Sequence, residues 1–337
     1  MVSELKKIWE WTGEDRVECR EAVRNEPGSG YVEVRIKAIG ICGTDLHIMS
    51  GHLQFGSPPL SLGHELAGVV ERVGEEVTRC QPGDRVCIDP LIGCGVCVEC
   101  AAGRKHRCAL GVEIGLHLPG GWQQYFNVPE ANLYPIPDSL SFAEATQAET
   151  LHCCLGGIDK LKIRLGMQAA VIGDGPTGLY YIQLLKASGV ARLTLIGKRE
   201  ERLKLGKDLG ADETFFARDE GVRSMEETCE IVIDAAGTES SIQEAIRLLK
   251  KGGQLLLFGL PAQPVLIDLQ SVVLKELQLI GTVNAPDVWY RVVDLAASGG
   301  VRIKPLITHT FPFERLDQAI LLAQSRSDEA IKIVVTA

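Results

Sequence analysis

Residues 169–178 read Ala-Ala-Val-Ile-Gly-Asp-Gly-Pro-Thr-Gly. Four apolar residues make a short strand, and it runs directly into Gly173-x-Gly175-x-x-Gly178, after which a helix is expected over 178–188. In this setting the three glycines have separate tasks. Gly173 allows a tight turn, Gly175 lets the backbone approach a pyrophosphate, and Gly178 lets helix and strand pack closely, while the N-terminus of the helix that follows Pro176 and Thr177 supplies N–H donors. A glycine-rich turn between a strand and a helix can also be purely structural, so the reading depends on what flanks it.

From about residue 155 onward, short apolar strands alternate with helical stretches. AAVIG is followed by the helix over 178–188, LTLIG by one over 200–209, then ETFF; EIVIDAAG is followed by a helix over 241–250, QLLLFG by one near 269–276, and LQLIGTV closes the series. Strict alternation of strand and helix predicts a parallel, doubly wound α/β sheet of Rossmann type. Upstream, residues 31–37 and 64–73 alternate apolar and polar side chains at period two, punctuated by Pro58, Pro59, Pro82 and Gly83. The last 50 or so residues return to mixed patterning, with THTFPF extended, a helix over 316–323 and the strand AIKIVV. We therefore expect a β-rich domain over 1–154 and 290–337 and a dinucleotide-binding domain over 155–289.

Composition narrows the function classes. The 337 residues are 45% hydrophobic and 23% charged, as in folded globular chains. The net charge of −9, spread along the chain, disfavours nucleic acid and anionic membranes, leaving a small molecule as the expected partner. No apolar run approaches the ~20 residues of a membrane span, and the opening MVSELKKIWEW lacks a signal-peptide pattern, so a cytoplasmic location is expected. Eleven cysteines, an odd count, argue against a disulfide framework and for metal or catalysis.

The end of the second strand of a dinucleotide fold carries an Asp or Glu when the ribose bears a free 2′-hydroxyl. Here it carries Gly197, Lys198 and Arg199. The missing carboxylate makes room, and two cations there would pair with a 2′-phosphate, so NADP is favoured over NAD. The bland alternative is that Lys198 and Arg199 only open the solvated helix KREERLK.

Cys94, Cys97, Cys100 and Cys108 place four thiols within one glycine-containing loop. Soft ligands at this spacing suit a closed, tetrahedral structural zinc, with iron–sulfur ligation or disulfides as alternatives and His106 as a competing ligand or a solvated loop residue. A second set is dispersed: Cys42-Gly43-Thr44-Asp45-Leu46-His47, then Gly63-His64-Glu65, then Glu149.

Together these segments resemble the zinc-dependent medium-chain dehydrogenase/reductase superfamily, and within it the alcohol and polyol dehydrogenases of sorbitol-dehydrogenase type. GHELAGVVERVG fits the family's G-H-E-x2-G-x5-G signature, CGTDLH its catalytic cysteine segment, the four-cysteine loop its structural zinc and GDGPTG its nucleotide loop. The resemblance runs from about residue 5 to the C-terminus. It implies a GroES-like β-rich catalytic domain beside the Rossmann domain, a homodimer or homotetramer, and two zinc ions per chain.

Carried over by position, Cys42 and His64 would be catalytic zinc ligands and Asp45 would orient the histidine. Glu149 falls where sorbitol-dehydrogenase-like members place their third ligand, although they usually read Glu-Pro-Leu and this chain has Thr150; Glu65 is the competing carboxylate. Hydride would pass to the nicotinamide, held around Phe258, Gly259, Thr282 and Val283, and the proton would leave through Thr44, the cofactor ribose and His47. The expected substrate is a secondary alcohol of a polyol, sugar or amino-polyol, whose hydroxyls Thr44, His47, Gln124 and His152 could satisfy. A simple or aromatic alcohol, with Leu53, Trp122 and Asn284 near it, is the alternative, as is a non-catalytic NADPH-binding protein.

Overall fold

The computed structural model describes residues 4–285, 288–325 and 327–337. The chain divides into two compact units. One comprises Met1–Thr150, Trp289–Ser298 and Leu306–Ala337, and the other Leu151–Val288 and Gly299–Pro305.

The second unit is built on six parallel strands. Across the sheet they run Glu213–Phe216, Arg192–Gly197, Gln168–Ile172, Cys229–Asp234, Leu249–Leu257 and Gln278–Gly281. Ala169–Ile172 and 193–197 are buried throughout, which is why these strands read as unbroken apolar runs: a parallel strand covered by helices on both faces has no solvent side. From Gln168–Ile172 the chain winds outward in one direction, then returns to Cys229–Asp234 and winds the other way. The crevice at such a reversal, beyond the carboxyl ends of the strands, is where doubly wound sheets bind ligands. Here those ends are Gly173, Gly197, Asp234, Phe258 and Thr282.

The glycine loop sits at this point. Gly173 has φ +123°, outside the range of other residues, and a Cβ on Gly178 would lie 1.8 Å from the Gly173 carbonyl oxygen. Gly175 differs from both: nothing in the protein lies within 4 Å of the place its Cβ would occupy. The fold itself demands the first and third glycines, and the open space over the second is left for a ligand. Pro176 then opens the helix Pro176–Ala187.

The first unit is a seven-stranded sheet in the order Ile307–Pro312, Lys332–Thr336, Tyr31–Ile41, Glu65–Val73, Arg85–Ile88 and Leu133–Pro135, with Tyr125–Pro129 also pairing on Tyr31–Ile41. The last strand returns to the first region as the sequence suggests, with Ile333 opposite Ile41 and Thr336 opposite Ala38. Val34, Ile36, Ile39, Leu66, Val70, Trp122 and Val335 form the centre of its core.

Among the elements outside the sequence reading are the hairpin of Leu5–Gly13 and Arg16–Val23 and the helices Ala148–Ile158 and Trp289–Ala297. The helix expected over 241–250 is Glu239–Leu248, started by a Thr238 capping box, and Leu249–Lys251 already belong to the next strand.

The two kinds of glycine separate experimentally. Gly178→Ala overpacks the turn and is expected to cost about 1–3 kcal/mol, read as a lower thermal midpoint. Gly175→Ala leaves the midpoint in place and weakens dinucleotide binding, read by fluorescence titration.

Candidate functional site

The sulfurs of Cys94, Cys97, Cys100 and Cys108 all lie within 4.8 Å of one another, and His106 stands outside that group. The Cys94 N–H points at the Cys108 sulfur and the Cys100 N–H at the Cys97 sulfur, both at 3.4 Å, the backbone support that thiolates need. Backbone N–H groups of Val96 and Cys97 hold the Cys94 thiol down to about 6, while desolvation pushes Cys100 up to about 11. Four thiols this close resist carrying four negative charges unaided. A divalent soft cation removes that conflict, so the donor set fits zinc.

The second metal group is Cys42, His64 and Glu65, whose donor atoms also lie within 4.8 Å of one another. Cys42 is the residue before the helix Gly43–Met49, and Asp45 ties the group together. One Asp45 oxygen accepts the Cys42 N–H at 3.0 Å; the other accepts the Gly63 N–H at 3.3 Å and lies 3.3 Å from Nδ1 of His64. Burial opposes a charge on His64, yet Asp45 and Cys42 beside it hold the imidazolium well above the usual histidine range. The Asp45 carboxylate lies beside Nδ1 of that ring, and the ring is gathered with Cys42 and Glu65 in the arrangement of an oriented ligand.

Glu65 is wholly buried, and its carboxylate is anchored on several sides. Lys332 reaches it at 2.5 Å, Thr150 donates its hydroxyl at 3.0 Å, and Gln147 donates its amide at 3.4 Å. Room for it comes from Gly40, where a Cβ would sit 1.9 Å from a Glu65 oxygen. Burial works against the charge of Lys332, but Glu65, and beyond it Cys42 and Glu149, raise its pKa above the ordinary lysine value. Glu149 is buried near this charge and lies outside the group formed by Cys42, His64 and Glu65. Of the two carboxylates proposed as third ligand, Glu65 is the one gathered with the cysteine and histidine.

Thr44 and His47, three residues apart on the short helix, share one face, with Thr44 half-buried and His47 exposed. In the parallel-sheet unit, Asp234 is buried at a strand end and accepts N–H groups from Ala236 and Gly237, while the Phe258 and Gly259 N–H groups donate to its carbonyl. Thr282 donates its N–H to Leu257, and its buried hydroxyl has no hydrogen-bond partner among the described residues. Val283 is exposed.

Two family profiles match this chain: the alcohol dehydrogenase GroES-like domain over residues 28–138 and the zinc-binding dehydrogenase domain over 176–298. The L-threonine 3-dehydrogenase of Bacillus licheniformis is 31% identical over 320 residues, covering 90% of each chain. The chain belongs to the zinc-dependent medium-chain dehydrogenase/reductase superfamily. The sorbitol dehydrogenase of Gallus gallus is 30% identical, covering 92% of this chain and 90% of its own. Among solved structures, a dehydrogenase of Sinorhizobium meliloti 1021 with NADP bound superposes with TM-score 0.93 at 29% identity, covering 99% of this chain and all of that one. The rspB alcohol dehydrogenase of Escherichia coli CFT073, solved with NADH, gives 0.92 at 29% identity and 99% coverage of both. As a member of this superfamily the chain is an oxidoreductase, with a GroES-like β-rich unit and a Rossmann-like unit.

Other candidates settle into structural positions. Trp122 is fully buried beneath Gly63, where a Cβ would meet its ring at 2.2 Å, so it is core and not pocket lining. Gln124 accepts the Lys7 N–H, and His152 is buried with Nε2 2.5 Å from Asn284. Sequence reasoning missed Lys332, Gly40 and Asp174. Lys332 was detectable: a charge among the apolar residues of AIKIVV that is buried at the strand's first position needs a partner.

Metal analysis is expected to find two zinc ions per chain. Cys100→Ser loses one of them together with thermal stability, and Cys42→Ser loses the other and abolishes turnover while the far-UV circular dichroism spectrum is retained. Lys332→Met leaves Glu65 buried without its cation, a change that typically costs about 3–5 kcal/mol, read by denaturant unfolding.

Proposed function

We propose that this enzyme oxidises, or forms by reduction, a secondary alcohol on a polyol, sugar or amino-polyol, with NADP favoured over NAD. The observation that carries the reaction class is the trio of Cys42, His64 and Glu65, with Asp45 behind the histidine. Cys42, His64 and Glu65 would hold a zinc ion, which would supply Lewis-acid chemistry toward an alcohol, and a nicotinamide cofactor would supply the redox chemistry. The chain's own part is to orient and to move protons. Thr44 presents a hydroxyl one turn before His47, which is exposed, so the pair forms a path from a half-buried position to solvent.

For the substrate class, an oxygen donor beside the metal favours oxygen-rich coordination, and a vicinal diol offers two hydroxyls. The resemblance to a threonine and a sorbitol dehydrogenase supports a hydroxylated or amino-bearing compound. NADP is supported by Gly197, Lys198 and Arg199, since cations replace the carboxylate at the strand end. A homodimer or homotetramer is supported by exposed Leu266, Leu269, Val273, Leu274 and Val283 in the same unit as the edge strand Gln278–Gly281, and sedimentation velocity reads the mass. None of the eleven cysteines is in a disulfide, which fits the reducing cytoplasm, the location we favour.

The test is kcat/KM across hexitols, pentitols, aldoses, amino-polyols, 2-butanol and benzyl alcohol. A polyhydroxylated or amino-bearing compound is expected to lead, and simple alcohols ahead by tenfold would refute the class. With the best substrate, Thr44→Val is expected to lower kcat by about 10²- to 10⁴-fold.

A further inference from the structure

Asp174 is the second residue of the glycine loop, and its carboxylate is 5% exposed. One oxygen accepts the backbone N–H of Lys198 at 2.7 Å and that of Arg199 at 2.8 Å. The other lies 3.4 Å from Nη1 of Arg199. This reach is possible because residue 197 is glycine: a Cβ there would meet both the Cβ and an oxygen of Asp174 at 2.7 Å. The carboxylate absent from the end of the second strand is therefore restored in space by the loop that precedes it.

That position bears on the adenosine ribose. Free N–H groups and a guanidinium at this strand end are what a 2′-phosphate would use, and Asp174 already occupies both N–H groups and faces the guanidinium. A phosphate dianion arriving there meets a buried carboxylate, a repulsion that a site partly shielded from water does not screen well. A 2′-hydroxyl, in contrast, can donate to the carboxylate oxygen that no backbone N–H occupies.

We propose that Asp174 is a specificity-determining residue for the cofactor: it competes with a 2′-phosphate for Lys198 and Arg199, accepts a 2′-hydroxyl, and so narrows the NADP preference those two cations create. The proposal rests on the reading of this strand end as the ribose site. It differs from a purely structural role, in which Asp174 only orders the backbone at 198–199 and its loss weakens both cofactors alike.

The test is calorimetric titration of the full, zinc-loaded chain with adenosine 2′,5′-bisphosphate and with AMP, which needs no turnover. Asp174→Asn, close to isosteric, is expected to tighten the bisphosphate about tenfold, the order expected from removing one charge near a dianion in a partly screened site. AMP is expected to bind a few-fold more weakly. Asp174→Ala moves the ratio in the same direction and serves if the asparagine variant does not fold. A ratio within twofold of wild type, or equal weakening of both ligands, overturns the proposal. Arg199→Ala separates this from failure of the ribose-site reading. If it weakens the bisphosphate while the Asp174 variants leave the ratio alone, only the role of Asp174 is wrong. If neither residue affects either ligand, the ribose site lies elsewhere and both readings fall.

Discussion

A buried carboxylate beside a half-buried cysteine is the condition around which the β-rich unit is arranged. Glu65 is wholly buried, with no water to spread a carboxylate's charge, and the Cys42 sulfur lies beside it. Lys332 supplies one positive charge at 2.5 Å, Thr150 and Gln147 supply neutral donors, and Asp45 draws positive character onto His64. A cysteine sulfur, an imidazole and a carboxylate gathered this closely form a donor set that suits a divalent cation. Thr150, which departs from the proline usual in sorbitol-dehydrogenase-like chains, has a definite task here as a donor to Glu65.

The two halves of the molecule differ in how plainly their sequence announces them. Strands of the parallel sheet are buried on both faces and bounded by glycines, so LTLIG and EIVIDAAG stand out in a linear reading. The hairpin Leu5–Val23 is mostly exposed on its second strand, where RVECREAV has no apolar run to mark it. The helix Ala148–Ile158 holds two cysteines, two glycines and a histidine, and its several buried side chains blur any amphipathic period. Cysteine spacing in the metal loop was legible because all four ligands are local. The choice between Glu65 and Glu149 was not, because both are buried acids close to the same lysine, and only the folded backbone decides which one reaches Cys42.

Both sites use glycine for a purpose unrelated to turning. Gly40 and Gly197 lack positive φ; each gives up the volume of a side chain so that a carboxylate from another segment can enter. At Gly40 the entering group is Glu65, and at Gly197 it is Asp174. Motif reading treats a glycine as an absent side chain and asks what is lost. In these two places the useful question is which group moves in, and in both the answer is an acid from another segment.

The strand that carries Lys332 has a consequence for the order in which the molecule is made. Glu65 and Lys332 are 267 residues apart, with the whole parallel-sheet unit encoded between them. During synthesis the first 150 residues emerge long before their last strand. Until it arrives, Tyr31–Ile41 lacks its neighbour along Ala38–Ile41 and Glu65 has no lysine. The β-rich unit must therefore wait, with an open sheet edge and an uncompensated acid, while the inserted unit has all its strands in one continuous stretch and is free to fold first. Nascent chains of this protein are accordingly most exposed to misassembly in the β-rich segment made before the insert, and the pair of Glu65 and Lys332 is completed only once the strand Lys332–Thr336 is added.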